Sequence, residues 1–237
     1  MNTRNLILFH IFPPLTLVFP FVWVALVGND HALKGESGFV EVTTVLWLVI
    51  AIGFCISALR ITRRLEVRGW LKAWLILLIL GSLYFGLEEI SYGQHIFHWK
   101  AGETMAKLND QQETNLHNIS AVFDQLPRTL LTLGILIGGI VMPLYRHFRG
   151  IPLEPSNRLY WQWPTMDCLT IALLVILIRP VFTVFETHIV NTGETKENLM
   201  AMFIMLYCIS LQFRLRKLQA SDAAAVPVAA GADTNRV

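Results

Sequence analysis

The stretch AWLILLILGSLYFGLEE, residues 73–89, decides the fold. Fifteen uncharged residues, Ala73 to Leu87, lie between Lys72 and an acid doublet. At helical rise they cover about 22 Å of a hydrocarbon core roughly 30 Å thick. A helix crossing here must carry Glu88 and Glu89 below the far interface. Acids at that depth are costly unless paired, protonated or metal-bound, so the doublet is a candidate functional site.

The rest of the chain supports a membrane reading. Across 237 residues, 54% are apolar and only 15% charged, and mean hydropathy is +0.51. These values exclude an ordinary soluble domain and predict an all-α, six-helix transmembrane bundle over residues 1–217. The apolar runs place spans at about 6–27, 40–59, 71–97, 127–145, 167–190 and 198–214. Leu6 to Val27 is too long for the apolar region of a signal peptide, and no good small-x-small site follows. It reads as a retained first span, kinked by Pro13, Pro14 and Pro20. Residues 218–237, rich in Ala and small polar residues, read as a disordered cytoplasmic tail.

Charge distribution gives an orientation. Of the nineteen Lys and Arg residues, thirteen fall on the side shared with the amino terminus and five on the other, with Arg179 inside a span. The positive-inside rule then puts both termini in the cytoplasm of a bacterial inner membrane. Cys55, Cys168 and Cys208 sit in apolar runs without CxxC spacing, against a disulfide framework or a cysteine zinc site. The chain carries no internal repeat, Gly-rich phosphate loop or nucleic-acid motif.

Three polar constellations gather toward the outer side. In the first, Glu88, Ser91, His95 and His98 recur at helical spacing, predicting one stripe that climbs out of the membrane, with Glu89 turned toward Tyr92 and Gly93. A carboxylate and two imidazoles on one stripe can ligate a metal or move protons. A hydrogen-bonded cap with interfacial histidines would look the same.

In the second, Glu113, His117, Ser120 and Asp124 share one helix face, backed by Leu116, Ile119, Phe123 and Leu126. This pattern predicts an amphipathic interfacial helix between the third and fourth spans. Glu113 one turn before His117 allows joint metal ligation, or a carboxylate that orients an imidazole. A solvated helix face is the plainer explanation.

In the third, Arg179, Thr183 and Glu186 share a face of the fifth span, with Arg179 near mid-membrane and Pro180 beside it. An arginine there calls for an anionic partner, and Glu88 or Glu89 is the nearest candidate. The pair would equally serve only to fix helix packing. His188 joins this site only if the end of the helix unwinds. Glu194 and Glu197 read as dipole partners of the sixth helix, and Glu41 as ambiguous. His10 and His147 lie away from the cluster.

The pairing of EExSxGQxIF (Glu88 to Phe97) with QxExNLHN (Gln111 to Asn118) resembles an uncharacterised family of bacterial polytopic membrane proteins. The resemblance implies that Glu88, Glu89, Gly93, Gln94, Glu113, Asn115, His117 and Asn118 form a shared core. It implies no reaction. A looser likeness is to the ceramidase and progestin-receptor-like superfamily, whose intramembrane Ser, His and Asp residues hold zinc. This chain lacks that group's HxxxH in its last helix and has six spans instead of seven.

The expectation is a membrane-embedded hydrolase or transferase acting on a lipid or lipid-linked substrate at the outer leaflet. Glu88, His95, Glu113, His117 and His188 are the candidate ligands of a zinc-like divalent ion. Glu89 is the expected general acid/base, and Arg179 the group that holds an anionic headgroup or balances charge. The alternatives are a proton- or ion-coupled transporter using Glu88, Glu89 and Arg179, a haem or di-iron protein, and a non-catalytic scaffold or assembly factor.

Overall fold

A computed structural model describes residues 3–27, 38–64, 69–97, 99–100, 102, 114, 121–152, 154–184 and 191–225. Among them there are helices and no strand. Six helices are long and apolar enough to cross a membrane. They are α1 (Thr3–Val27), α2 (Phe39–Arg64), α3 (Gly69–Glu89), α4 (Gln125–Arg149), α5 (Leu169–Val184) and α6 (Thr192–Ala225). A short helix, Arg158–Gln162, capped by the Asn157 side chain, leads into α5.

The helices alternate in direction. One end of the bundle gathers Arg4 over the Phe213 ring at 5.2 Å and Arg158 over Trp70 at 5.8 Å. The opposite end holds the acid doublet of α3 and the start of α6.

α6 is the axis. Over its apolar stretch 83% of residues are buried, against 17–33% in the other five helices. α2 lies along it and α3 packs on α2. The outer helices turn Leu15, Val49, Leu77, Leu80 and Leu130 outward, the apolar exterior expected of a surface in lipid. Apolar burial cannot drive association where lipid is equally apolar, so polar contacts between helices carry specificity. Asn198 of α6 donates to Val40 O at 2.9 Å, Thr43 Oγ1 at 2.7 Å and Thr44 Oγ1 at 3.1 Å. Tyr207 accepts from Trp74 Nε1 at 2.9 Å and faces the carbonyls of Trp161 and Gln162. The Cys55 and Cys208 thiols lie 3.2 Å apart, both free.

α4 reaches α5 and α6 through glycine. A Cβ on Gly139 would stand 2.8 Å from Ala172 Cβ and 2.9 Å from the Phe203 ring, so only glycine allows this approach. A π-helical turn, Ile135–Val141, spans the same point and lets the chain absorb one extra residue there.

Two boundaries differ most from the sequence expectation. The third helix does not run to residue 97: it ends at Glu89, and Ser91, Tyr92 and Gly93 all have positive φ (46°, 55° and 88°). Left-handed backbone at three successive residues cannot continue a right-handed helix. The sixth helix, in turn, continues through the start of the expected disordered tail to Ala225. Alanine favours helix, and no breaker occurs before Pro227. The expected interfacial helix lies mostly outside the described residues. Ala121–Gly134 is helical and runs into the fourth span.

Candidate functional site

The break after α3 shapes the site. With the backbone turned back at Ser91–Gly93, Tyr92 donates its hydroxyl to Glu88 Oε1 at 2.6 Å. Glu88 is 5% exposed, and its carboxylate is therefore held by a neutral donor from its own chain segment. Burial foremost, then the hydrogen bond and charge of Glu88, push the Tyr92 phenol above its ordinary range. Tyr92 thus remains a protonated donor.

Gln94 follows immediately. Its side-chain oxygen accepts the Thr114 backbone N–H at 2.8 Å and the Thr114 hydroxyl as well. A backbone N–H can only donate, which fixes the orientation of the Gln94 amide. Thr114 is the residue between Glu113 and Asn115, so the two sequence motifs are joined here. Trp99 Nε1 approaches the same hydroxyl at 3.4 Å.

Glu89 faces a different environment. Together with Glu88 it lines a cavity of about 320 Å³ between α3, α4 and α6. Its walls are otherwise mostly apolar: Leu77, Leu78, Phe85, Leu131 and Ile204 among others, with Ser82 and Tyr84 as further polar side chains. Arg128, the residue after Pro127 of α4, closes the polar end. Arg128 Nε lies 2.5 Å from Glu197 Oε1, and Glu197 is itself buried. Glu89 is within electrostatic reach of Glu197, Arg128, Glu41 and Glu194.

A second cavity, about 170 Å³, adjoins the first and shares Arg128 and Met200 with it. Arg179, Lys196 and Glu197 line it, with Gln125, Thr129 and Thr132 as neutral polar groups. Lys196 Nζ donates to Thr132 Oγ1 at 3.0 Å.

The expected pairing of Arg179 with Glu88 or Glu89 is not what forms. Arg179 is exposed and lines only the second cavity, whereas the cation beside the acid doublet is Arg128. The reason is rotational: α5 packs on α6 and α4, so its Arg179 face meets the start of α6 and does not reach α3. Likewise the Glu88–Ser91–His95–His98 stripe does not exist as a continuous helix face, because the helix stops at Glu89. Tyr92 turns to Glu88, where the helical spacing had put it beside Glu89.

Of the candidate metal ligands, Glu113, His117 and His188 and the side chain of His95 lie outside the described residues. Among the described residues no group of three or more His, Cys, Asp or Glu is placed to hold a metal ion.

Sequence reasoning passed over Arg128 and Lys196, read Glu197 only as a helix-dipole partner and set Tyr92 beside Glu89; all four shape the site. A signal for two of them was present. Only five Lys or Arg residues fall on the side away from the amino terminus, and Arg128 and Lys196 are two of them, each at a span entrance. A cation retained where cations are scarce merits the same suspicion as an acid in the membrane. Searches of protein-family models, curated proteins and solved structures found nothing that matches this chain.

Proposed function

We propose that the protein is a membrane-embedded hydrolase or transferase acting on a lipid or lipid-linked substrate at the outer leaflet, with both termini in the cytoplasm of a bacterial inner membrane. The observation that carries this proposal is the junction at Arg128 of an apolar cavity bearing two acids and a second cavity bearing three cations. An amphiphile has the same division, with a chain suited to the first compartment and a polar head to the second. Glu89 lies within electrostatic reach of Arg128, which lines both. A position this close to the bond between chain and head suits acid–base work on an ester, amide or phosphodiester.

In this scheme Glu89 takes the proton of water or of an acceptor hydroxyl as that oxygen attacks the carbonyl carbon or phosphorus, and gives it to the departing alcohol or amine as the bond between chain and head breaks. Glu88, held by Tyr92, keeps the polar end ordered, and Arg128 offsets charge that develops on the reacting centre. The Gln94–Thr114 tie holds Thr114, the residue between Glu113 and Asn115, at the same end of the bundle. A divalent ion held there by Glu88, His95, Glu113, His117 and His188 would polarise the water or the scissile group.

Reconstitution into vesicles of total bacterial lipid, followed by mass spectrometry of the lipids, tests the proposal. One lipid class should be converted by the wild-type protein and at least about 100-fold more slowly by Glu89→Gln. Undiminished conversion by the Glu88→Gln, Glu89→Gln double variant would overturn it. Elemental analysis of purified protein addresses the ion separately. Activity in a metal-free sample would remove the ion and leave the acid–base reading standing.

A further inference from the structure

We infer that the cavity between α4, α5 and the start of α6 binds the phosphate-bearing headgroup of an anionic lipid, with Arg128, Arg179 and Lys196 as its ligands. This inference rests on the lipid-substrate reading and specifies the class of substrate.

Three cations line about 170 Å³, and Glu197 is the one acid among the lining residues. Glu197 is already engaged by Arg128 at 2.5 Å. Lys196 lies within electrostatic reach of both Arg179 and Arg128, so among the described residues that line this cavity three cations stand with one acid. Such a set is unfavourable at the edge of a membrane unless an anion enters. The donors are available for one. An ammonium has three protons, and Lys196 gives one to Thr132. Among the described residues the Arg179 guanidinium makes no side-chain hydrogen bond, and it is exposed at the mouth. Guanidinium groups match phosphate oxygens in pairs, and a lysine beside them adds a point charge.

Two further features favour a phosphate over a carboxylate. The first turn of the 34-residue α6 forms one wall, so its helix dipole adds positive potential where the negative charge would sit. Thr129, Thr132 and Gln125 add neutral hydrogen-bonding groups around the cations, suiting an anion with several oxygens. The source is assigned to a lipid because the compartment adjoins the apolar cavity, with which it shares Arg128 and Met200 as lining residues. Basic pockets between membrane helices take headgroups for this reason.

The test uses the full-length protein in a non-ionic, phosphate-free detergent, with phosphatidic acid as the probe and native mass spectrometry as the readout. The wild-type protein should retain phosphatidic acid and not a diacylglycerol of the same chains. The Arg179→Gln, Lys196→Gln double variant should lose about tenfold or more in affinity. Both side chains are at least partly exposed, so its thermal unfolding should stay close to that of wild type, which separates lost binding from lost folding. Equal affinity of the two proteins, or equal retention of diacylglycerol, would overturn the inference. Displacement of the lipid by millimolar inorganic phosphate would reassign the cavity to free phosphate and overturn the lipid source. Glu89→Gln should bind phosphatidic acid as wild type does. Binding without Glu89-dependent turnover would sink the enzyme proposal alone, and Glu89-dependent turnover without binding would sink only this one.

Discussion

Gln94 holds Thr114: one carboxamide oxygen accepts both the backbone N–H and the hydroxyl of a residue twenty positions ahead. This places Thr114, the second residue of the ETNLH motif, within one side chain's reach of the turn that follows the acid doublet. Replacing Gln94 with Ala leaves two donors unmet, at about 1–3 kcal/mol for the buried share of that loss. Amide hydrogen exchange across residues 111–118 should accelerate in Gln94→Ala while exchange in α6 is unchanged. Unaltered exchange in both regions would show that other contacts hold the segment.

Arg128 and Glu197 form an ion pair with unequal exposure, 36% and 10% of their side chains. Removing Arg128 takes a close cation from the more buried partner, so Arg128→Ala should destabilise by about 2 kcal/mol, between the ranges for exposed and buried pairs. Glu197→Gln added to Arg128→Ala should recover part of that loss. Thermal unfolding of the two single variants and the double variant in detergent gives the coupling. Strict additivity would deny that the pair matters.

Tyr92 predicts an alkaline signature. Its proton is held more tightly in the folded protein than in the unfolded chain, where a phenol titrates near pH 10. The resulting stability is complete below about pH 10 and fades as pH rises through the higher folded value. Tyr92→Phe should lose that increment together with one hydrogen bond to Glu88, at a cost of about 1–3 kcal/mol at neutral pH. The difference in stability between wild type and Tyr92→Phe should shrink above pH 10. A difference that grows there would reverse the sign and refute the assignment.

Gly139 tests the packing of the bundle. An alanine there must displace Ala172 and Phe203, which costs about 1–3 kcal/mol in a close-packed interior. Gly134, where an added Cβ would meet nothing within 4 Å, is the matched control and should accept alanine with little change. The midpoint of thermal unfolding distinguishes them.

Asn198 reports on how α6 is held to α2. Asn198→Leu removes a donor shared among Val40, Thr43 and Thr44 and should cost about 1 kcal/mol, the usual size of a polar contact between membrane helices. A larger loss, read from unfolding in mixed detergent, would mark this contact as the main registration point of the axis.

What could be read directly from the chain was what depends on local composition. Runs such as Ala73–Leu87 announce a membrane helix because their length and apolarity have no other inexpensive use in water. The depth of Glu88 and Glu89 follows from counting residues at a fixed rise, and the six-helix architecture follows from six such runs. Which cation faces the acids was not legible. That choice depends on how α4, α5 and α6 are rotated about their axes, and rotation is set by contacts such as Gly139 against Ala172 and Phe203. Nor did helical spacing foresee the break at Ser91–Gly93. A pattern of polar residues at every third or fourth position is equally compatible with a helix and with a turn that carries Tyr92 back to Glu88. Sequence thus settled the solvent in which the helices fold and the expensive groups they carry. Tertiary packing alone decided the partners of those groups, because a charge in a membrane pairs with whatever neighbouring helices bring within a few ångströms.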